Sequence, residues 1–501
     1  MFCCRAAVSE RLGGTLALPN FLQPLREKGF AKEDNPVLHK QILIVITLIG
    51  ALSAHGTAKD AKSVLEATVK NIGDVKSVQY SGSGAVFTLG QSVSAGAPWP
   101  RVEVKSFTRT VDYDKLATRN EGVGPQGPVP TQFLVSDKAW GQAGSNVNPA
   151  SPTVMAERQL QIWLTPHGFL KGALANKGTA KGGKATQVTF TAPGKQQVVG
   201  TISADHLVEK VESWIDNPVL GDMHVETTYS DYRDFGGFRF PAKMVQKQGG
   251  FPVFELTITE VKANVPLDIS IPDSVRQAAP PPVRVTTEKL AEGVWYLTGG
   301  SHHSVLVEFA DHLAVIEAPQ SEERSTAVMA EAKKLSPTKP LRYLVNTHHH
   351  FDHSGGLRTY VAEGATIVTH RSNEAFYQKT FKAARKLNPD RQARARKKAK
   401  IITIDAKHLL SDGTRTVEIH HIQGNPHNSG ILMAWFPKEK LLAEVDVYTP
   451  LAPNASPPAT PNPATVNLYE NIQRLNLDVN QIAPLHGRIV TIAELRRTIG
   501  K

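Results

Sequence analysis

The sequence predicts two successive α+β domains: a curved antiparallel sheet with one helix, then a layered sandwich in which strands alternate with helices. Three observations predict this. Residues 278–282 read AAPPP, a stiff run that cannot join a sheet interior and so divides the chain. Before it, one helical stretch precedes a series of period-two segments separated by Gly-, Pro- and Asp-rich breaks. After it, short apolar runs alternate with helical stretches. With 501 residues, 41% of them hydrophobic, the chain can form two or three packed domains, and global disorder is excluded.

Residues 1–58 form an N-terminal extension. Within it, ILIVITLIGAL at 42–52 is shorter than the about 20 residues a spanning helix needs. It has the length of a signal-peptide core, preceded by His39–Lys40 and followed by small residues. The expectation is a signal over 37–58, a translation start near Val37, and a periplasmic or secreted protein. A membrane-anchored protein is the alternative. Cys3 and Cys4 are the only cysteines, so a metal site further along the chain uses no thiolate.

Residues 59–277 open with the helical pattern DAKSVLEATVKNIG, in which Ala61, Val64, Leu65 and Thr68 share a stripe. RVEVKSFTRTVDY then alternates around Val102, Val104, Phe107 and Val111, and six further strand-like runs follow, from ATQVTFTA to FELTITEVKAN. The order of elements and the phrase YRDFGGFRFPAKM resemble periplasmic lipoprotein-carrier domains. His167 and His224 are isolated, and this half shows no catalytic constellation. It is expected to be an accessory domain.

Residues 278–283 are the linker, and 284–501 the second domain. VWYLTGGSHHSVLVEFADHLAVIEAP reads as two strands with a turn near Asp311. SEERSTAVMAEAKKL is a helix with a Ser cap that ends before Pro337. The strand RYLVN runs into THHHFDHSGG. ATIVTH and the helix SNEAFYQKTFKAARK follow, then TVEIHHIQG, GILMAWFP, KLLAEVDVY and a helix near VNLYENIQRL.

The run THHHFDHSGG raises a choice between a metal site, a histidine-rich surface loop and a chance cluster. In register it is His348-x-His350-x-Asp352-His353. Alternate residues of an extended loop point the same way, so His348 and His350 can share one ion, with Asp352 and His353 aimed at a neighbouring point. Zinc takes about four N, O or S ligands, so more must come from elsewhere. His427, Asp446 and His486 each lie beside a strand-like run. His348, His350 and His427 then form one shell and Asp352, His353 and His486 the other, with Asp446 bridging. An all-nitrogen-and-oxygen set suits zinc, with iron or manganese as alternatives.

From about 284 to 498 the chain resembles the metallo-β-lactamase superfamily. The motif H-x-H-x-D-H is complete at 348–353, and the distal His, Asp and His occur in the family's order at 427, 446 and 486. The resemblance implies an αββα sandwich and two metal ions at one edge of its sheets. It also implies that Asp352 both binds the second metal and orients the nucleophile. Glu317 stands where an aspartate is common, and Val445 where glycine is common before the bridging aspartate. His302 and His303 are read as polar loop residues, His349 as pointing away from the metals, and His420 and His421 as sheet residues.

The function this predicts is an exported binuclear zinc hydrolase that uses metal-activated hydroxide to cleave an ester, thioester, lactone or lactam bond of a small molecule. The alternatives are an iron-dependent dioxygenase-like oxidoreductase on the same fold and a ligand-binding protein that has lost its activity. Net charge is +11, concentrated at 379–400, where ten Lys and Arg face the single acid Asp390. That run reads as a solvated helical hairpin turning at Asn388–Pro389. A lipid or anionic ligand on it, or on the first domain, is the alternative. No nucleic acid partner is expected, because no aromatic-interleaved basic motif accompanies the run.

Overall fold

The computed structural model describes residues 60–183, 185–280, 282–453 and 455–501. The segment read as an export signal lies outside the described residues. Among the described residues, no helix is long and apolar enough to cross a membrane.

The first half contains a 14-stranded antiparallel sheet running from Ser77 to Ala263. Register shifts at Ser81/Gly82, Thr201/Ile202 and Gln246/Lys247 mark β-bulges, which bend a sheet. The predicted helix spans Ala61–Ile72, capped by the Asp60 carboxylate, and buries Val64, Leu65, Thr68 and Ile72. Two helices that the period-two reading did not anticipate, Pro152–Trp163 and Pro166–Ala175, pack into the same core. Each starts with a hydroxyl cap followed by proline, Ser151–Pro152 and Thr165–Pro166.

The second half is a sandwich of a 7-stranded and a 6-stranded sheet. Apolar residues of both sheets form one core, including Val307, Ile316, Ile419, Met433, Phe436 and Leu442. A second core lies between the 7-stranded sheet and the helices Glu322–Leu335 and Leu357–Glu363. The stretch 294–316 forms three strands rather than two. Gly299, at φ 102°, breaks the run between Val294–Thr298 and Ser304–Glu308 and lifts His302 out of the sheet.

The basic segment departs from the hairpin expectation. Its first helix spans only Glu374–Thr380, and the next is the short Arg391–Ala395. Between them the backbone docks on the first domain. Arg385 is buried and donates to the carbonyls of Asn217 (2.7 Å) and Pro218 (2.5 Å). The Lys386 and Leu387 amides donate to Asp222. Arg394 pairs with Glu322 and Arg391 with Glu363. The turn is therefore docked through Arg385, while Lys379, Lys382, Lys386, Arg396, Lys397, Lys398 and Lys400 stay exposed, as the solvated reading expects.

Candidate metal centre

The motif loop leaves the C-terminal end of the strand Leu341–Val345 and enters one helical turn, Phe351–Ser354. Gly355 and Gly356 follow where no side chain fits. A Cβ would lie 2.0 Å from the Gln320 carbonyl oxygen or 1.9 Å from Ser325 Oγ, respectively. His427 lies between the strands Thr416–His421 and Leu432–Phe436. Asp446 and His486 follow the parallel pair Leu441–Glu444 and Gln481–Pro484. The site thus sits at carboxyl ends of parallel strands, the usual place for ligands in such sheets.

These residues converge. Ligand atoms of His348, His350, His427 and Asp446 all lie within 4.8 Å of one another, as do those of His302, His353 and His486. Asp446 touches both groups. Its Oδ2 is 3.2 Å from His348 Nε2 and 3.1 Å from the Nε2 atoms of His353 and His427, while Oδ1 is 2.8 Å from His486 Nε2. It adopts φ +61°, a conformation uncommon outside glycine and found disproportionately at functional sites. Asp352 stands at the rim of the second group, its Oδ2 3.7 Å from His353 Nε2 and 3.3 Å from His302 Nε2.

The surroundings fix which ring nitrogen faces inward. The Thr347 hydroxyl donates to Glu317 and lies 3.1 Å from His348 Nδ1, so it accepts from that nitrogen. His486 Nδ1 donates to the Ser301 carbonyl at 2.8 Å, and His350 Nε2 to the Ser92 carbonyl at 3.0 Å. His353 Nδ1 lies 3.5 Å from Glu317. Of the inward nitrogens, His350 Nδ1 is buried with no hydrogen-bond partner, and His348 Nε2, though 3.2 Å from Asp446 Oδ2, lacks hydrogen-bond geometry to it. Buried polar atoms are rarely left in that state, and lone pairs converging on shared carboxylate oxygens fit a cation.

Electrostatics agree with this fit. Burial pushes Asp446 up, but His353, His348 and His427 overcome it and hold the carboxyl well below its usual range. Asp352 is likewise raised by burial, yet held low by His353 and His302. Burial pushes His348 and His350 down, leaving neutral rings with lone pairs to offer. His353 goes the other way: burial lowers it, but Asp446 and Asp352 raise it well above its ordinary value. The carboxylates draw positive charge into the centre.

Several residues differ from the sequence reading or extend it. His302 is no ordinary loop residue. Its Nδ1 lies 2.8 Å from Ser301 Oγ, and its Nε2 faces Asp352 beside His353 and His486. Glu317 is fully buried and also accepts from Asn346 Nδ2 at 2.9 Å. Tyr377 donates in turn to Asn346 Oδ1 and, at 3.2 Å, to the His348 carbonyl. His349 turns aside to Ser92 and Asn428. His303 is pushed down to about 4 by burial and lies against Tyr296. His420 contacts Glu418, and His421 the Ser429 carbonyl. His167 and His224 join no metal-ligating group among the described residues. The first domain, read as an accessory domain without a catalytic constellation of its own, reaches into this site: Gln91 Nε2 donates to Asp352 Oδ1 at 2.8 Å.

Residues 297–439 match the family model of the metallo-beta-lactamase superfamily. The C-terminal part of the chain has the metallo-β-lactamase fold, and the N-terminal part is a large antiparallel-sheet domain. Asp446 and His486 lie beyond the matched residues. Among solved structures, a metallo-beta-lactamase from Pontibacter korlensis is similar at 17% identity, covering 43% of this chain and 98% of that one, with TM-score 0.33. A metallo-beta-lactamase from Pseudomonas aeruginosa in a mono-zinc form is similar at 18% identity, covering 44% and 96%, with TM-score 0.34. The rubredoxin oxygen:oxidoreductase of Desulfovibrio gigas is similar at 17% identity, covering 43% and 61%, with TM-score 0.34. No curated protein sequence matches this chain.

Proposed function

We propose that the second domain is a binuclear zinc hydrolase that cleaves an ester, thioester, lactone or lactam bond of a small molecule, in a protein exported to the periplasm or beyond. The observation that carries this reading is the convergence of His348, His350, His427, His353 and His486 on the two oxygens of Asp446. His348, His350 and His427 would hold one ion, and Asp352, His353 and His486 the other, with Asp446 shared and His302 beside the second. Zinc held by these residues would supply Lewis acidity toward a carbonyl oxygen and toward water.

The chain's own groups do the rest. Asp352 stays ionised and accepts a hydrogen bond from the attacking water, fixing its direction. Glu317, through Thr347, holds the ring of His348. The Ser301 carbonyl holds that of His486.

The test is turnover by His350→Ala and Asp352→Ala, each expected to abolish hydrolysis while the fold is retained. Near-wild-type turnover by either purified variant would refute the assignment.

A further inference from the structure

We infer that the loop at 88–100 of the first domain is a working part of the metal centre, in which Gln91 is a positioning residue for Asp352 and the Ser92 carbonyl sets the tautomer of His350. The inference rests on the zinc reading of the second domain.

The loop joins the strands Ser77–Phe87 and Arg101–Asp112. Its polar groups meet first the motif loop and then the loop that carries His427. Gln91 Nε2 donates to Asp352 Oδ1 at 2.8 Å. The Ser92 carbonyl accepts from His350 Nε2 at 3.0 Å, and Ser92 Oγ lies 3.1 Å from His349 Nε2. The Val93 carbonyl accepts from the Ser429 amide at 2.8 Å, next to the loop that carries His427.

A carbonyl can only accept, so His350 Nε2 carries the proton and Nδ1 keeps its lone pair. That Nδ1 is a buried nitrogen of the first ligand group with no hydrogen-bond partner. In Asp352 the two oxygens are held from opposite halves of the chain, Oδ1 by Gln91 and Oδ2 by His302. Outer partners of this kind orient metal ligands, and losing one typically weakens metal affinity by about 10- to 100-fold.

Apolar contacts set how closely the loop approaches. Trp99 is buried and meets the Phe351 ring edge-on, with centroids 6.2 Å apart. Gly90 lies flat against that ring: a Cβ there would be 2.3 Å from Phe351 Cγ. The backbone at Gly90 is also left-handed, at φ +75°. A side chain at position 90 would therefore push the whole loop off the motif.

The experiment is chelator-competition titration of zinc into the full-length protein, comparing wild type, Gln91→Ala, Gln91→Glu and Gly90→Val, with His350→Ala as the control for the site itself. Thermal unfolding of each metal-free protein reports the fold. The expected result is a dissociation constant for the second zinc raised about 10- to 100-fold in Gln91→Ala, with the unfolding temperature of the metal-free protein unchanged. Gln91→Glu, with its carboxylate against Asp352, should not restore wild-type affinity. Gly90→Val should weaken both ions. Wild-type affinities in both Gln91→Ala and Gly90→Val would overturn the inference while leaving the hydrolase reading intact. A wild-type protein that takes up no zinc would overturn the hydrolase reading, and this inference with it.

Discussion

Asp446 and His486 leave neighbouring parallel strands, each two residues past the paired Glu444 and Pro484, and their side chains meet at 2.8 Å. Equal overhang from an in-register parallel pair is what brings a carboxylate and an imidazole together from positions forty residues apart. The remaining histidines close around that pair.

Glu317 tests how much the surroundings matter. Its carboxylate is fully buried and accepts from both Thr347 and Asn346. Glu317→Gln keeps the size but replaces one acceptor oxygen with a donor, leaving a buried donor without a partner. The expected cost is about 1–3 kcal/mol in stability and about 10- to 100-fold in zinc affinity. Urea unfolding and chelator competition measure the two effects.

Arg385 tests the clasp between the halves. Arg385→Ala strips a buried cation from the Asn217 and Pro218 carbonyls and from Asp216, which lies 3.4 Å away. Asp216 is partly exposed and can be solvated, so the main loss is that of a donor to the two carbonyls, which costs about 1–3 kcal/mol. Denaturant unfolding should show that loss, whereas Lys398→Ala, at an exposed position of the same run, should change stability by less than about 0.5 kcal/mol.

His167 gives a pH prediction. Its ring is buried, stacks on Phe240, and has no hydrogen-bond partner at either nitrogen. Burial pushes its pKa from 6.5 down to about 4. The unfolded chain therefore binds more protons between these values. The stability contribution is complete above about pH 6.5 and lost as pH falls to about 4, a change of about 3 kcal/mol. His167→Phe should remove this part of the acid sensitivity and raise the melting temperature, as unfolding curves at pH 7 and pH 4.5 would show.

What was legible in the sequence follows physical range. The motif at 348–353 and the strand-end positions of His427, Asp446 and His486 are local patterns, readable because a ligand at a strand's end needs only that strand. His302 was missed because its role depends on His486, which arrives from 184 residues further along. Gln91 was invisible for the same reason, since its partner Asp352 lies in the other half. The helices at 152–175 carry Ser–Pro and Thr–Pro starts that a search for alternation passes over. The basic run is exposed at most of its positions, as expected, but its hairpin shape was misread, because the first domain's carbonyls claim Arg385 and hold the turn in a non-helical path.

The most direct test of the central claim is metal content by mass spectrometry on full-length protein purified without added metal, paired with hydrolysis of a chromogenic lactam and simple esters and lactones. The account predicts about two zinc per chain with turnover that a chelator removes and zinc restores. One iron per chain with no hydrolysis would contradict it.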